Sequence, residues 1–232
     1  MPTAVIVGAS SGIGLALARR LVDAGWSVIG LARREAGFTH ARYRHVVADV
    51  RAAEYRATLA ASIEGAPALV VYAAGIGQEL DPATMAHESD VFATNLAGAV
   101  ITAEVFIPRM IAARSGHLIG ISSLADRLID SHAPSYAASK AGLSQYLEGL
   151  ALACHPYGVS ITNVRFGFVD TAMAKSPTKP FMVTADRAAR VIEDCIATRP
   201  IRRSFPLRMA ALMWLLGWVN RLRIRVSRAR TR

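Results

Sequence analysis

Three residues in the second half of the chain have the types and spacing for acid–base work on a carbonyl or alcohol oxygen. Tyr136 and Lys140 lie four positions apart in Tyr136-Ala137-Ala138-Ser139-Lys140. Residues four apart share one face of a helix, so a phenol and an ammonium can be presented to one site. A phenol of ordinary pKa, about 10, is a poor base at neutral pH, and a neighbouring ammonium favours the phenolate and lowers that value. Tyr136 then becomes a usable general acid/base. Ser123, closing the apolar run before it, can hydrogen-bond the same oxygen and stabilise developing negative charge. Tyrosine and lysine at this spacing are also common as plain surface pairs. Against that, Lys140 is one of only three lysines, with Lys175 and Lys179, in a chain that otherwise takes its positive charge from arginine.

A second constellation sits at the start. Directly after the apolar Ala4–Val7 comes Gly8-Ala9-Ser10-Ser11-Gly12-Ile13-Gly14, followed by a helical pattern. Glycines permit a tight turn and let a pyrophosphate approach the backbone, while a helix start offers free N–H groups and partial positive charge. The same turn can also simply join strand to helix. The next apolar run ends Leu31-Ala32-Arg33-Arg34, with no carboxylate to take a ribose 2′-hydroxyl. An arginine there can pair with a 2′-phosphate. Arg33, aided by Ser10 and Arg34, therefore points to NADP(H) over NAD(H), unless these are solvated loop arginines.

These residues need a scaffold, and the hydropathy pattern supplies one. Short apolar, β-branched runs at Ala4–Val7, Ser27–Ala32, His45–Ala48, Ala68–Ala73, Gly116–Ile121, Val159–Val164 and Ile201–Phe205 alternate with helical patterns near 12–24, 51–64, 89–113, 134–156 and 184–198. That alternation predicts an α/β fold with a doubly wound, parallel, seven-stranded sheet and helices on both faces. The ligand crevice of such a sheet lies off the carboxyl ends of its strands. A chain of 232 residues that is 53% hydrophobic can bury one core. A single catalytic domain over 1–205 and an extension over 206–232 are expected.

The net charge of +10 is unevenly placed. Residues 1–198 hold seventeen basic and seventeen acidic side chains, whereas 199–232 hold ten arginines and no acid. The first residues lack the basic n-region of a secretory signal, which predicts a cytoplasmic protein. Two cysteines far apart, Cys154 and Cys195, make no disulfide framework or metal cluster. The six histidines show no ligand spacing, and of these only His132 lies where it can line a cleft.

Taken together the motifs resemble the short-chain dehydrogenase/reductase family, over roughly residues 3–200. The glycine motif matches Gly8, Gly12 and Gly14, with Ser11 and Ile13 between them, and the family's Rossmann-like fold agrees with the predicted sheet. The resemblance implies catalytic roles for Asn95, Ser123, Tyr136 and Lys140, with Lys140 also holding the nicotinamide ribose and Asn95 helping to order a relay water. It implies cofactor contacts at Asp49 and Val50, at Ala74 and Gly75, and at Val169 and Thr171. The expected activity is hydride transfer between NADP(H) and a small carbonyl or alcohol substrate, in a homo-oligomer. Tyr72 and Ala73 depart from the family's usual asparagines, and Phe166 replaces a usual proline, which predicts a less constrained backbone there. The family's glycine-rich end after the seventh strand is missing. The Lys175–Met182 stretch falls where the family carries its substrate-covering loop, with Phe181 and Met182 as apolar candidates.

The tail carries Met209–Val219, eleven residues without charge and with Trp214 and Trp218. An eleven-residue helix spans only about 16 Å, too short for a bilayer core of about 30 Å. Three readings remain: a helix covering the active site or an oligomer interface, a segment lying in an anionic membrane surface at the inner face of the cell, and a nucleic-acid contact, which its composition fits least. A rival to the enzyme reading is a non-catalytic dinucleotide sensor or scaffold whose basic tail binds a partner.

Overall fold

The computed structural model describes residues 1–173 and 179–227. Its chain order is β1 (Thr3–Val7), α1 (Gly12–Asp23), β2 (Ser27–Ala32), β3 (Tyr43–Val47), α2 (Tyr55–Ser62), β4 (Leu69–Tyr72), α3 (Glu88–Phe92), a π-helical segment (Ala93–Ala97), α4 (Gly98–Ala112), β5 (His117–Ser123), a 3₁₀ turn (Leu124–Arg127), α5 (Pro134–Cys154), a second 3₁₀ turn (His155–Tyr157), β6 (Ser160–Phe166), β7 (Val169–Asp170), β8 (Val183–Thr184), α6 (Ala185–Thr198), β9 (Arg202–Phe205) and α7 (Leu207–Ser227).

Seven of the strands form one parallel sheet, as predicted, and the structure gives their order as β3-β2-β1-β4-β5-β6-β9. Register aligns their carboxyl ends: Val7 pairs with Leu31 and Tyr72, and Ser123 with Phe166, which in turn pairs with Phe205. The strand order reverses direction between β1 and β4. At that point a crevice opens above the sheet, because successive connections leave to opposite faces.

Both faces are covered, so the inner strands β1, β2 and β4 read as nearly unbroken apolar runs with alternate residues serving opposite layers, while the edge strands β3 and β9 carry arginines. Val5 and Val7 point with Leu31, Val70 and Tyr72 into a core roofed by α2, α4 and α5. Ala4 and Ile6 point with Val28, Val71 and Ile119 into the other, roofed by α1 and α6. A third, small cluster joins Leu124 of the 3₁₀ turn to Met209 and Met213 of α7.

The structure adds three elements to the pattern read from sequence. The helical stretch near 89–113 is broken by the π segment, a two-stranded ribbon pairs Val169 with Val183, and the tail's apolar run belongs to a helix reaching Ser227. Phe166 is constrained after all, by the ladder rather than by a ring. It lies in β6 between Ser123 and Phe205, and the next amide, Gly167 N–H, donates to Phe205 O at 2.9 Å.

The first residue of β5 brings a pH dependence with it. His117 is buried, its Nε2 lies 2.8 Å from Thr162 Oγ1, and the Thr162 hydroxyl donates to the Pro200 carbonyl. Since that hydroxyl's proton is committed, Nε2–H must be the donor to Thr162. Burial, with the Arg199 charge adding to it, pulls the imidazole pKa from 6.5 down to about 4. The folded value lies below the unfolded one, so the contribution is intact above about pH 6.5 and is lost as pH falls toward 4. A loss of about 3 kcal/mol is expected over that window. Urea unfolding midpoints across it should fall for the wild type and fall less for His117→Gln, which keeps a donor without titrating.

Candidate active site

β5 ends in Ser122 and Ser123, and the chain turns at once into the 3₁₀ turn. Ser123 caps that turn, its Oγ accepting from Ala125 N at 3.1 Å while lying 3.4 Å from the Phe166 carbonyl. α5 starts at Pro134, whose missing N–H costs nothing in a first turn. Tyr136 therefore stands in that first turn and Lys140 one turn below, deeper in the fold.

The two other residues of the expected catalytic set close around them. Lys140 is buried, and its Nζ donates to the Ile121 carbonyl at 3.0 Å. Asn95 is fully buried in the π segment. Its Oδ1 accepts from Ile76 N at 2.8 Å, and its Nδ2 donates to Ile76 O at 2.9 Å and to Ser139 Oγ at 3.0 Å. Gly75 lies between them: a Cβ there would sit 3.3 Å from Asn95 Oδ1 and 3.6 Å from Lys140 Nζ. The π segment has its own support. Its wider turn frees the Thr94 carbonyl, which takes the Tyr72 hydroxyl, and that hydroxyl occupies the room left by Gly98.

The electrostatics differ from what the tyrosine–lysine spacing predicts. Burial raises the Tyr136 pKa, with the adjacent Ser123 hydroxyl pulling it partway back. Burial also pulls Lys140 down to about 8. Its Nζ lies over the Tyr136 ring, 5.9 Å from the centroid, and desolvation outweighs any charge it offers the phenol.

The cofactor side is built by close approach. Gly8 has φ +90°, its N–H donates to Leu31 O at 2.7 Å, and a Cβ on it would fall 2.6 Å from Ala74 N. A Cβ on Gly14 would fall 2.2 Å from the Gly8 carbonyl, so α1 can start this near the strand only without side chains. Ser11 occupies the N-cap position of α1, with Ser10 before it, and Ile13 packs into the α1 layer of the core. Across the crevice Thr171 puts its methyl 3.0 Å from a Cβ at Gly12, and Val169 is buried beside it.

Further out, a cleft of about 380 Å³ is lined by Arg33, Val47, Ala48, Asp49, Glu54, Tyr55 and Thr58. Arg33 and Arg34 are exposed at its β2 edge. One Asp49 oxygen accepts from Arg51 N at 3.0 Å. Val50 packs against the Gly98 position from below the cleft. The glycine cradle and the start of α1 are what the pyrophosphate of a dinucleotide requires, with Arg33 lining the cleft beyond them.

Of the remaining candidates, His132 has an exposed ring, while its backbone N–H donates to Asp130 Oδ1 at 2.9 Å and its carbonyl accepts from Leu80 N at 2.7 Å. Phe181 and Met182 are exposed, while 174–178, with Lys175 and Pro177, lie outside the described residues. Met173 approaches the site, 3.4 Å and 3.6 Å from Cβ positions at Gly75 and Gly77, the latter also facing the Tyr136 ring. Among the described residues no histidine, cysteine or carboxylate group has a metal-ligand arrangement.

A buried charge pair beneath the site went unread in the sequence. Arg165 forks onto Asp126, Nε to Oδ2 at 2.6 Å and Nη2 to Oδ1 at 2.5 Å, both side chains 6% exposed. Ser144 donates to Asp126 at 2.6 Å, and Ser122 Oγ lies 2.8 Å from Ser144 Oγ and donates to the Lys140 carbonyl at 3.0 Å. The 3₁₀ turn after Ser123, the middle of α5 and the end of β6 are thus tied together. The available signal was an arginine between Val164 and Phe166 in a buried strand, which demands an acid.

With this geometry in place, comparison with known proteins agrees. The chain belongs to the short-chain dehydrogenase family, whose model, described as short chain dehydrogenase, matches residues 2–180. An oxidoreductase of Myxococcus xanthus is 31% identical over 225 residues, 90% of this chain and 88% of the relative. A 3-oxoacyl-[acyl-carrier-protein] reductase of Vibrio harveyi is 29% identical over 75% of each chain. Among solved structures, a short-chain dehydrogenase from Streptomyces avermitilis superposes with a TM-score of 0.83 at 25% identity, over 99% of this chain and 97% of that one. A polyketide ketoreductase solved with NADPH gives 0.77 at 25% identity, over 88% and 95%.

Removing one member of the buried pair should be costly. Asp126→Ala leaves the Arg165 charge uncompensated and is expected to lose about 3–5 kcal/mol, whereas Asp126→Leu with Arg165→Met should recover most of it. Denaturant midpoints of the three proteins test this; a double variant as unstable as the single one refutes the assignment of the loss to an orphaned charge.

Proposed function

We propose that this short-chain dehydrogenase is an NADP(H)-dependent oxidoreductase acting on an apolar ketone or the corresponding alcohol. The observation that carries the reading is the convergence of Tyr136 and Ser123 at one end of the crevice, with Lys140 one turn below the phenol and Asn95 behind. In the reductive direction Tyr136 donates its proton to the substrate oxygen, and in oxidation it takes the proton back. Ser123 donates a hydrogen bond to that same oxygen as negative charge builds. Lys140 holds the ribose and supplies positive charge below the phenol. Asn95 holds the 75–77 loop against both, through its paired bonds to Ile76. When bound, NADP(H) would supply or accept the hydride; Gly8–Gly14 would hold its pyrophosphate, Arg33 its 2′-phosphate, Asp49 and Val50 its adenine, and Val169 and Thr171 its carboxamide, with Ala74 and Gly75 forming the crevice floor.

NADP(H) is preferred because β2 ends in Ala32-Arg33 and supplies no acid to compete with a phosphate. A relative in Haemophilus influenzae described as a probable NADP-dependent dehydrogenase has the same leaning. The apolar substrate follows from Met173, whose side chain lies over the Gly75 and Gly77 positions beside the Tyr136 ring. Relatives described as 3-oxoacyl-[acyl-carrier-protein] and ketoacyl reductases make acyl-chain ketones the first substrates to try. The free, buried Cys154 and Cys195 suit a reducing, cytoplasmic setting.

Fluorescence titration should show tighter binding of NADPH than of NADH. Arg33→Ala should weaken NADPH by about tenfold or more and leave NADH unchanged. Equal affinities that ignore the substitution would defeat the cofactor assignment.

Tyr136→Phe should cut turnover by about 10²–10⁴-fold while leaving the cofactor dissociation constant nearly unchanged, since only a hydroxyl is lost. Lys140→Ala should damage both. Near-normal turnover in Tyr136→Phe, measured as NADPH oxidation with an acyl-chain ketone, would mean the proton donor lies elsewhere.

A further inference from the structure

We propose that α7 is a docking helix for an anionic lipid surface, with one face packed on the catalytic domain and the opposite face laid against the bilayer. The packed face is a stripe at helical spacing. Met209 and Met213 are buried against Leu124, Gly217 is close enough that a Cβ would fall 2.5 Å from the Arg127 carbonyl, and Asn220 Nδ2 donates to Ile129 O at 3.2 Å. α7 is thus fixed on the turn that follows Ser123, and it cannot rotate to hide its other side.

That other side is apolar and open. Leu212, Leu215, Val219 and Leu222 recur at i, i+3, i+7 and i+10, with Trp214 and Trp218 alongside, and all six are exposed, the tryptophans at 58% and 57%. A helix apolar on every face is stable in water only when all of it is covered. The protein covers one stripe, so the rest needs an occupant.

Charge selects the occupant. From Arg199 to Arg232 there are ten arginines and no acid, on a body with seventeen charges of each sign. A two-fold pairing of two copies through α7 would bring together two segments that each hold, from Arg208 onward, seven arginines and no acid. Lipid phosphates supply the missing negative charge, and a mixed tryptophan–leucine face flanked by arginine is what an interfacial helix presents to headgroups. Arg208 and Arg221 are exposed on α7 itself, beside the apolar stripe.

The test uses the full chain with vesicles of phosphatidylcholine alone and of equal parts phosphatidylcholine and phosphatidylglycerol, followed by co-sedimentation and tryptophan emission. Partitioning to the mixed vesicles only, with a blue shift, weakened by added salt, is expected. Trp214→Ser with Trp218→Ser should reduce it by about tenfold or more while NADPH binding is unchanged, which also shows that the variant is folded. The proposal is overturned if neither vesicle binds, if the double variant binds as tightly as wild type, or if the variant instead splits an oligomer seen in analytical ultracentrifugation without any lipid binding. That last result would make the face a subunit interface. Retention of wild type by an acidic protein surface but not by the mixed vesicles would overturn it equally.

Discussion

A lysine ammonium taken out of water has to be held by something, and in this fold the means of holding it organise the whole site. Lys140 reaches the Ile121 carbonyl and no carboxylate, and burial alone pulls its pKa to about 8. Keeping it there requires α5 to sit hard against the end of β5. Ser122, Ser144, Asp126 and Arg165 do this from below, and Asn95 and Ser139 from the side. The same contacts set the distance between Ser123 and Tyr136. Electrostatic cost and catalytic geometry are therefore solved by one set of bonds rather than two.

The consequence for the phenol runs against simple spacing arguments. A pair four residues apart on a helix predicts an ammonium that acidifies its neighbour, but both groups are desolvated together and the phenol goes up instead. Spacing tells which side chains share a face. It says nothing of how dry that face is, and dryness decides the sign here.

Much of the architecture was legible because buried parallel strands leave unbroken apolar runs. β2 matches its sequence reading to the residue, and the glycine motif announces the crevice because Gly8 and Gly14 have no room for a Cβ. What escaped has physical reasons. The π segment differs from its helical flanks by one residue per turn, and Ala93–Ala97 carries no composition signal for that. Asp126 and Arg165 are thirty-nine residues apart, and only the sheet register brings them together. The tail's eleven uncharged residues left a cover or oligomer interface, a lipid contact and a nucleic-acid contact open; α7 has two faces, and one stripe packs on the domain while the other is left open.

Tyr72 occupies a place where short amides are usual in this family, and it does not stand alone. Its hydroxyl fills the space vacated by Gly98 and satisfies the carbonyl released by the π turn at Thr94. Strand end, widened turn and glycine form a set in which Tyr72 lies more than twenty residues before the other two members. Recombination cut between β4 and α4 with a relative lacking this tyrosine or this glycine would pair a bulky phenol with a side chain at position 98, or a smaller residue at 72 with an empty hole and an unsatisfied carbonyl. Chimeras should therefore inherit 72 through 98 from one parent, a block boundary invisible in any local motif and set by the reach of a single hydroxyl.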